Sequence, residues 1–300
     1  VMGPPETVIE VEITPNRPDC LSLLGVAREV AVLYGTALKR PEVAFAESDV
    51  PVEKATSVIV EDAADCPRYT ARILQNVKVG PSPDWMKRRL EAAGVRAINN
   101  IVDITNYVML ECGQPLHAFD QKLLEEGRIV VRHPKPGEKI LTLDGVEREL
   151  EPQMLVIADA VKPMAVAGVM GGEHSGINDT TTDVLLESAT FRPGAVRATG
   201  KKLGMLSDAS YRFMRGVDAE LADWASRRAA QLMADLAGAT VLKGVVDVWP
   251  EPKTPWRVTC RPSRLEALLG LSAAPESIAQ SFEALGLKVL AASADAIEVE

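Results

Sequence analysis

Residues 128–150 read RIVVRHPKPGEKILTLDGVEREL, and the spacing within them decides the fold class. Three short runs alternate apolar with polar: Arg128 to Arg132, Ile140 to Leu143 and Val146 to Leu150. The last two are separated by Asp144-Gly145, a dipeptide that accepts the positive φ of a tight hairpin turn, so this segment is predicted to be antiparallel. Working outward, Met154 to Ala158 and Met164 to Val169 read as strands around another tight turn. Val184 to Ala189 and, far upstream, Tyr69 to Val79 read as further strands.

The helical signals are fewer and longer. Ser82-Pro83-Asp84 supplies a cap, a first-turn proline and an acid for a helix that stops at Gly94. Asn100 to Glu111 places Ile101, Ile104 and Val108 on one face, with Gly113 behind it. Ala219 to Ala237 carries a stripe of Leu221, Trp224, Arg228, Leu232 and Leu236, ends at Gly238, and leads into a strand over Val241 to Val248. Strands and helices that do not alternate predict an α+β fold rather than a doubly wound sheet.

Toward the ends, Val8 to Ile13 alternates as a strand, and Asp19 is placed to cap a helix bearing Leu23, Val26, Ala27, Val30, Leu33 and Tyr34, closed by Gly35. Lys39 to Lys54 and Glu251 to Pro255 read as linkers. Beyond the second lie strand signals at Arg257 to Cys260 and Leu287 to Leu290, and helices near Ser263 to Leu269 and Pro275 to Leu285. The expected organisation is multidomain: 1–45, part of a first domain; 46–250, a central mixed α/β module; 251–300, a small α+β unit. The abrupt start, and a final run that looks like a strand cut short, give the chain the look of a piece of a longer protein.

The 300 residues carry 33 Lys and Arg against 42 Asp and Glu, a formal net charge of −9. That balance excludes a protein that coats nucleic acid indiscriminately, though not a local basic face. One such stretch runs from Arg192 to Arg215, where Arg192, Arg197, Lys201, Lys202, Arg212 and Arg215 meet only Asp208. It reads either as an exposed helix face or as a phosphate contact. The four cysteines form no CxxC pair, which fits reduced thiols in the cytoplasm. No apolar stretch is long enough to cross a membrane.

The common enzyme templates are missing: no GxSxG elbow, P-loop or HExxH. Gly168 to Gly172 is a glycine-rich turn without the Lys-Ser/Thr of a nucleotide loop. Cys112 and His117 alone are too few for a zinc site. His117 follows a helix stop, where function often sits, yet it could equally be satisfied by a backbone carbonyl. Glu187 shares a strand face with Leu185, so it is either at a solvated edge or deliberately half-buried.

Longer motifs carry a resemblance. Thr14-Pro15-Asn16-Arg17-Pro18-Asp19-Cys20, Asn99 to Met109, Gln114 to Asp120, Ala167 to Gly172, Glu187 to Phe191 and Ser207 to Phe213 follow one another in the order found in bacterial phenylalanyl-tRNA synthetase β subunits. The similarity covers nearly the whole chain and makes 46–250 that subunit's editing module. It implies hydrolysis of tyrosyl-tRNA(Phe), because an apolar phenylalanine pocket rejects tyrosine by only about 10². By the resemblance, Glu187 recognises the tyrosine hydroxyl, and His117 sits near the ester and terminal adenosine. Thr105 and Asn106 position substrate and water, Ala167 and Gly168 form backbone walls, and Ala209 shapes the ring pocket. Ser207 stands where relatives have threonine. Arg192, Lys201, Lys202 and Arg212 become candidates for tRNA contact.

The family is thought to use a positioned water and the substrate's own ribose hydroxyl, with no metal or cofactor for editing; ATP and Mg serve aminoacylation. That reaction belongs to the α subunit of an α2β2 assembly. A nucleic-acid-binding insertion would fall before Val8, and catalytic-like and anticodon-binding domains beyond Glu300. Two rival readings stand beside this one: a non-catalytic scaffold for subunit assembly and tRNA docking with a degenerate site, and a free-standing metal-dependent hydrolase.

Overall fold

The computed structural model describes residues 7–300 and divides into two compact units, one holding the residues up to Leu23 with Pro41–Glu251, the other Leu24–Arg40 with Pro252–Glu300. The fold is α+β, as the strand and helix signals predict. In the larger unit the strands are β1 (Glu47–Pro51), β2 (Val58–Val60), β3 (Arg68–Gln75), β4 (Leu116–Asp120), β5 (Ile129–Arg132), β6 (Lys139–Leu141), β7 (Glu147–Glu149), β8 (Val156–Ala158), β9 (Pro163–Val166), β10 (Met170–Gly171), β11 (Val184–Thr190), β12 (Thr240–Lys243) and β13 (Val246–Val248). One sheet runs β1-β12-β3-β11-β4, with β13 also on β3; a second runs β10-β9-β8-β5-β2; β6 and β7 form the hairpin foreseen at Asp144-Gly145.

The helices are α1 (Leu23–Tyr34), of which all but Leu23 belongs to the smaller unit, then α2 (Asp84–Ala92), α3 (Asn100–Cys112), α4 (Pro193–Leu203), α5 (Asp208–Phe213) and α6 (Leu221–Ala237). Helix α6 lies over β3 and β11 and packs against α3. The opposite face of that sheet meets the second sheet in a shared core of Tyr69, Ile73, Phe119 and Leu185 with Ile129, Ile157 and Val166. Alternation along β3 and β11 therefore sends Thr70, Arg72 and Ser188 toward the helices and Tyr69, Ala71 and Glu187 toward the sheet–sheet core. Arg72 reaches α6 and is satisfied there, donating to Ser226 Oγ (2.9 Å) and Asp223 Oδ1 (2.5 Å).

Several expectations are corrected. Of the stripe Leu221, Trp224, Arg228, Leu232 and Leu236 only Leu232 is buried and the rest are half-buried, whereas Ala222, Ala225, Ser226, Ala229 and Ala230 are all buried. Small side chains let the helix axis approach a sheet already filled by Arg72 and the leucines, so the buried face is the alanine one. The strand foreseen over Val241 to Val248 breaks at Gly244 (φ +84), and both halves pair with β3. The supposed linker Lys39 to Lys54 contains β1, an edge strand parallel to β12. Val8 to Ile13 forms no strand. Asp19 lies in a 3-10 turn over Pro18–Cys20, paired with Arg17 at 2.8 Å, and the helix foreseen after it begins only at Leu23. Ser82 likewise caps nothing, because its hydroxyl donates to Asp103 (2.6 Å) instead.

Within the smaller unit, β14 (Val258–Cys260), α7 (Pro262–Leu269), α8 (Pro275–Ala284), β15 (Val289–Ala292) and β16 (Ile297–Val299) surround a core of Ile278, Ile297 and Val299. The last strand is the central one of its sheet, in order β14-β16-β15. Among the described residues no helix is long and apolar enough to cross a membrane.

Candidate active site

Strand β11 is buried along its whole length because it is sandwiched between β3 and β4 and covered on both faces. Its register sets Glu187 opposite Ala71 on one side and His117 on the other. The solvated-edge alternative for Glu187 therefore fails: the residue is only 8% exposed. Its Oε2 accepts a 2.6 Å hydrogen bond from the hydroxyl of Tyr69, a fully buried neighbour on the same face. Burial pushes the Glu187 carboxyl up to about 7, and the Tyr69 hydrogen bond opposes only part of that. Burial and the adjacent carboxyl in turn hold the Tyr69 phenol well above its ordinary value.

His117 lies on the same face of β4. Its ring meets Phe119 edge-on, with centroids 4.4 Å apart. Removal from water lowers its pKa to about 4, so the imidazole is neutral at physiological pH. Its Nε2 is buried without a protein partner, so the backbone-carbonyl alternative does not account for this nitrogen. The glycine turn makes room for the ring: a Cβ at Gly171 would stand 2.6 Å from His117 Cε1, and one at Gly172 2.6 Å from the Met164 carbonyl oxygen. Gly168 adopts φ +67 and is walled by Phe191, Val196 and Phe213. The GVMGG run is therefore glycine-rich because ring and backbone close on it, and no phosphate is needed to explain it.

These elements enclose a cavity of about 530 Å³. All eight residues singled out as catalytic or substrate-binding line it: Thr105, Asn106, His117, Ala167, Gly168, Glu187, Ser207 and Ala209. They come from five places in the chain: α3, β4, the turn after β9, β11, and the start of α5. Helix α3 is fixed by Asn99, whose side chain accepts from the amides of Ile101 (3.1 Å) and Val102 (3.0 Å). The Thr105 hydroxyl donates to Val102 O (2.7 Å), leaving its lone pairs as acceptors, and Asn106 is half-buried. Ser207 caps α5 through the Ser210 amide (3.1 Å) and donates to Val169 O (2.8 Å), tying α5 to the glycine turn. Its hydroxyl is thus occupied in positioning. Apolar walls, one buried carboxyl, one neutral imidazole and several fixed dipoles suit a ligand with an aromatic ring and a polar tip.

The basic stretch divides. Arg212 is buried and spends its guanidinium on Leu21 O (3.2 Å) and Asp208 O (2.9 Å), so it offers no surface charge to a phosphate. Arg192 pairs with Asp65 while remaining exposed, Lys202 pairs with Glu151 at 2.9 Å, and Lys201 is exposed. Sequence reading passed over Arg96. It is the sole arginine on the cavity lining, exposed in the loop between α2 and α3 near Ile98 (66% exposed), and Leu143 (55% exposed) also lines the cavity. Its only signal was an isolated cation just before the Asn99 cap.

Cys112 and His117 do not share a candidate metal cluster among the described residues. Asp62, Asp65 and His133 do converge, but the two carboxylates already have partners. His133 pairs with Asp62 at 3.1 Å, its pKa raised by the Met154 carbonyl and Asp62 despite partial burial, and Arg192 pairs with Asp65.

Over 289 residues the chain is 50% identical to the phenylalanine–tRNA ligase β subunit of Moorella thermoacetica, covering 96% of this chain and 36% of that protein. The corresponding subunit of Geobacter sulfurreducens is 47% identical over 298 residues, with 99% and 37% covered. The chain thus spans little more than a third of these relatives. A crystal structure of an N-terminal fragment of the phenylalanyl-tRNA synthetase β subunit from Pyrococcus horikoshii aligns at 14% identity and a TM-score of 0.44, over 95% of this chain and 78% of that one, too distant to carry weight. A family model described as the B3/4 domain matches residues 65–238, the segment that builds the cavity. The chain belongs to the B3/4 domain family, in a form similar along its length to bacterial phenylalanine–tRNA ligase β subunits.

Proposed function

We propose that the cavity is an editing site that hydrolyses the ester of tyrosyl-tRNA(Phe), within a phenylalanine–tRNA ligase β subunit. The observation that carries this is a buried carboxyl poised near neutrality, Glu187, in the same apolar cavity as an unpartnered neutral imidazole, His117. A phenol entering the cavity finds a hydrogen-bond partner in Glu187, whereas a phenyl ring leaves the oxygen not held by Tyr69 desolvated and unpaired, worth about 1–3 kcal/mol of discrimination. His117 Nε2 can hold a water or a ribose hydroxyl beside the ester, with Thr105 and Asn106 completing its orientation. Rate enhancement then comes from fixed dipoles and placement, without a protein nucleophile. Arg96, Lys201 and Arg192 supply positive charge for the tRNA backbone.

On this reading the subunit works in the cytoplasm with an α partner that carries aminoacylation and its ATP and Mg. The cavity does not suit Mg–nucleotide, since its one inner carboxyl is held by Tyr69 among apolar walls. The scaffold alternative is less economical, because a degenerate site has no reason to keep a costly buried carboxyl and imidazole together.

The test is clearance of tyrosyl-tRNA(Phe) by the full-length assembly. Glu187→Ala and His117→Ala are each expected to slow it by about 100-fold or more. Parental rates in both variants would remove the editing assignment.

A further inference from the structure

Tyr69 takes no part in the cavity lining, yet it touches the group on which the proposed recognition depends. It sits in β3 two residues before Ala71, the direct partner of Glu187, so its side chain reaches Glu187 diagonally across the strands from behind. It is fully buried in the core between the sheets, and its hydroxyl donates to Glu187 Oε2 at 2.6 Å. Oε1 has no protein partner among the described residues. It is also absent from the enclosed, unpaired polar atoms, so the small remaining exposure of Glu187 opens on the cavity.

We infer that Tyr69 is a positioning residue that fixes one oxygen of Glu187 so that the other is presented to the substrate's phenol. The inference rests on the editing reading above. The phenolic proton of Tyr69 occupies Oε2, and its bulk blocks rotation of the carboxylate away from the cavity. Oε1 is then the single acceptor offered to an incoming hydroxyl. The bound state is one carboxylate bridging two phenols, one internal and one from the ligand. Without the Tyr69 hydroxyl the buried carboxyl keeps its proton to a higher pH and is free to turn, so its preference for a phenol over a bare ring weakens. Cys66 and His117 are the other titratable groups near this carboxyl. The Cys66 thiol is pushed well above its ordinary value by burial and by Glu187, so it does not compete for the proton. His117 is neutral and faces Glu187 from the opposite strand.

The test measures hydrolysis of tyrosyl-tRNA and phenylalanyl-tRNA by the full-length assembly carrying Tyr69→Phe alone, Glu187→Ala alone, and the two together. Tyr69→Phe removes one oxygen and keeps the ring, and thermal melts check that the core survives. The expected result is a roughly 10-fold loss on the tyrosyl ester, the worth of one hydrogen bond to an ionisable group, with the phenylalanyl rate unchanged. In the Glu187→Ala background the same change should cost nothing further, since Tyr69 acts only through the Glu187 side chain. An unaltered tyrosyl rate in Tyr69→Phe, while Glu187→Ala is inactive, would overturn the inference and leave the editing reading standing. Equal losses on both esters would also overturn it, as the mark of a merely structural role. Full activity in Glu187→Ala would remove the editing reading and this inference with it.

Discussion

Gly171→Ala is expected to abolish tyrosyl-ester clearance while the protein still folds. The new Cβ would stand 2.6 Å from Cε1 and 3.1 Å from Nε2 of His117, with Leu143 Cδ1 at 3.1 Å on its other side. Backbone movement cannot relieve this, because Gly171 pairs with Ala165 and accepts from the Leu143 amide at 3.0 Å. The imidazole must move, and it leaves its place against Phe119. Misplacing a catalytic group by about 1 Å costs on the order of 100-fold in rate, and the overpacking costs about 1–3 kcal/mol of stability. Gly94→Ala is the matched control. Its φ of +79 imposes a strain of about 1 kcal/mol, but no atom stands within 4 Å of the added carbon, so clearance should stay parental. If Gly171→Ala hydrolysed tyrosyl-tRNA as fast as the parent, His117 would not be acting from the position seen here.

The second large effect is on stability, and its sign depends on pH. The Glu187 carboxyl is raised in the folded protein from an ordinary 4.5 to about 7. The folded state therefore holds this proton more tightly than the unfolded chain. The stability it contributes is complete below pH 4.5 and lost as pH rises through about 7, a change of about 3 kcal/mol. His117 runs the other way. Its pKa falls from 6.5 to about 4, so the folded state binds fewer protons, and stability is lost as pH falls from 6.5 toward 4. Between about 4.5 and 6.5 the two slopes oppose, and the parent protein should be nearly indifferent to pH through this pair.

Glu187→Gln removes one slope. Denaturant unfolding of parent and variant at pH 5 and pH 8 should show the variant gaining about 3 kcal/mol relative to the parent at the higher pH. The stability of the variant alone should climb with pH up to about 6.5. An offset between the two proteins that is the same at both pH values would mean that Glu187 is solvated like a surface carboxylate.

Much of this arrangement is legible in the chain because its cues are local. Asp144-Gly145 announces a hairpin whatever surrounds it, and Gly113 marks the left-handed stop of α3. What pairs at long range is not legible. Nothing near residue 47 signals that β1 will lie beside a strand 194 residues later, as Glu47 does with Val241. The large apolar stripe of α6 misled for a related reason, since burial there is decided by how near the helix must come to the sheet. The site divides in the same way. Glu187 stands out in the sequence as a polar group in apolar company and His117 by its place after a helix stop, but only the β4–β11 register shows that they are opposite one another. Tyr69, 118 residues before Glu187, looked like any strand tyrosine. Arg96 looked like any loop cation, and Arg212 like its equal, until burial separated them.

The central claim is that this cavity tells a phenol from a phenyl ring and cleaves the ester of the former. It is tested most directly by incubating the full-length parental assembly with tyrosyl-tRNA(Phe) and, separately, phenylalanyl-tRNA(Phe), and following release of each amino acid. Hydrolysis of the tyrosyl ester should be faster by about 5-fold or more, as one buried carboxyl oxygen paired in one case and unpaired in the other requires. Equal rates for the two esters, or release of neither above the rate in buffer alone, would contradict it.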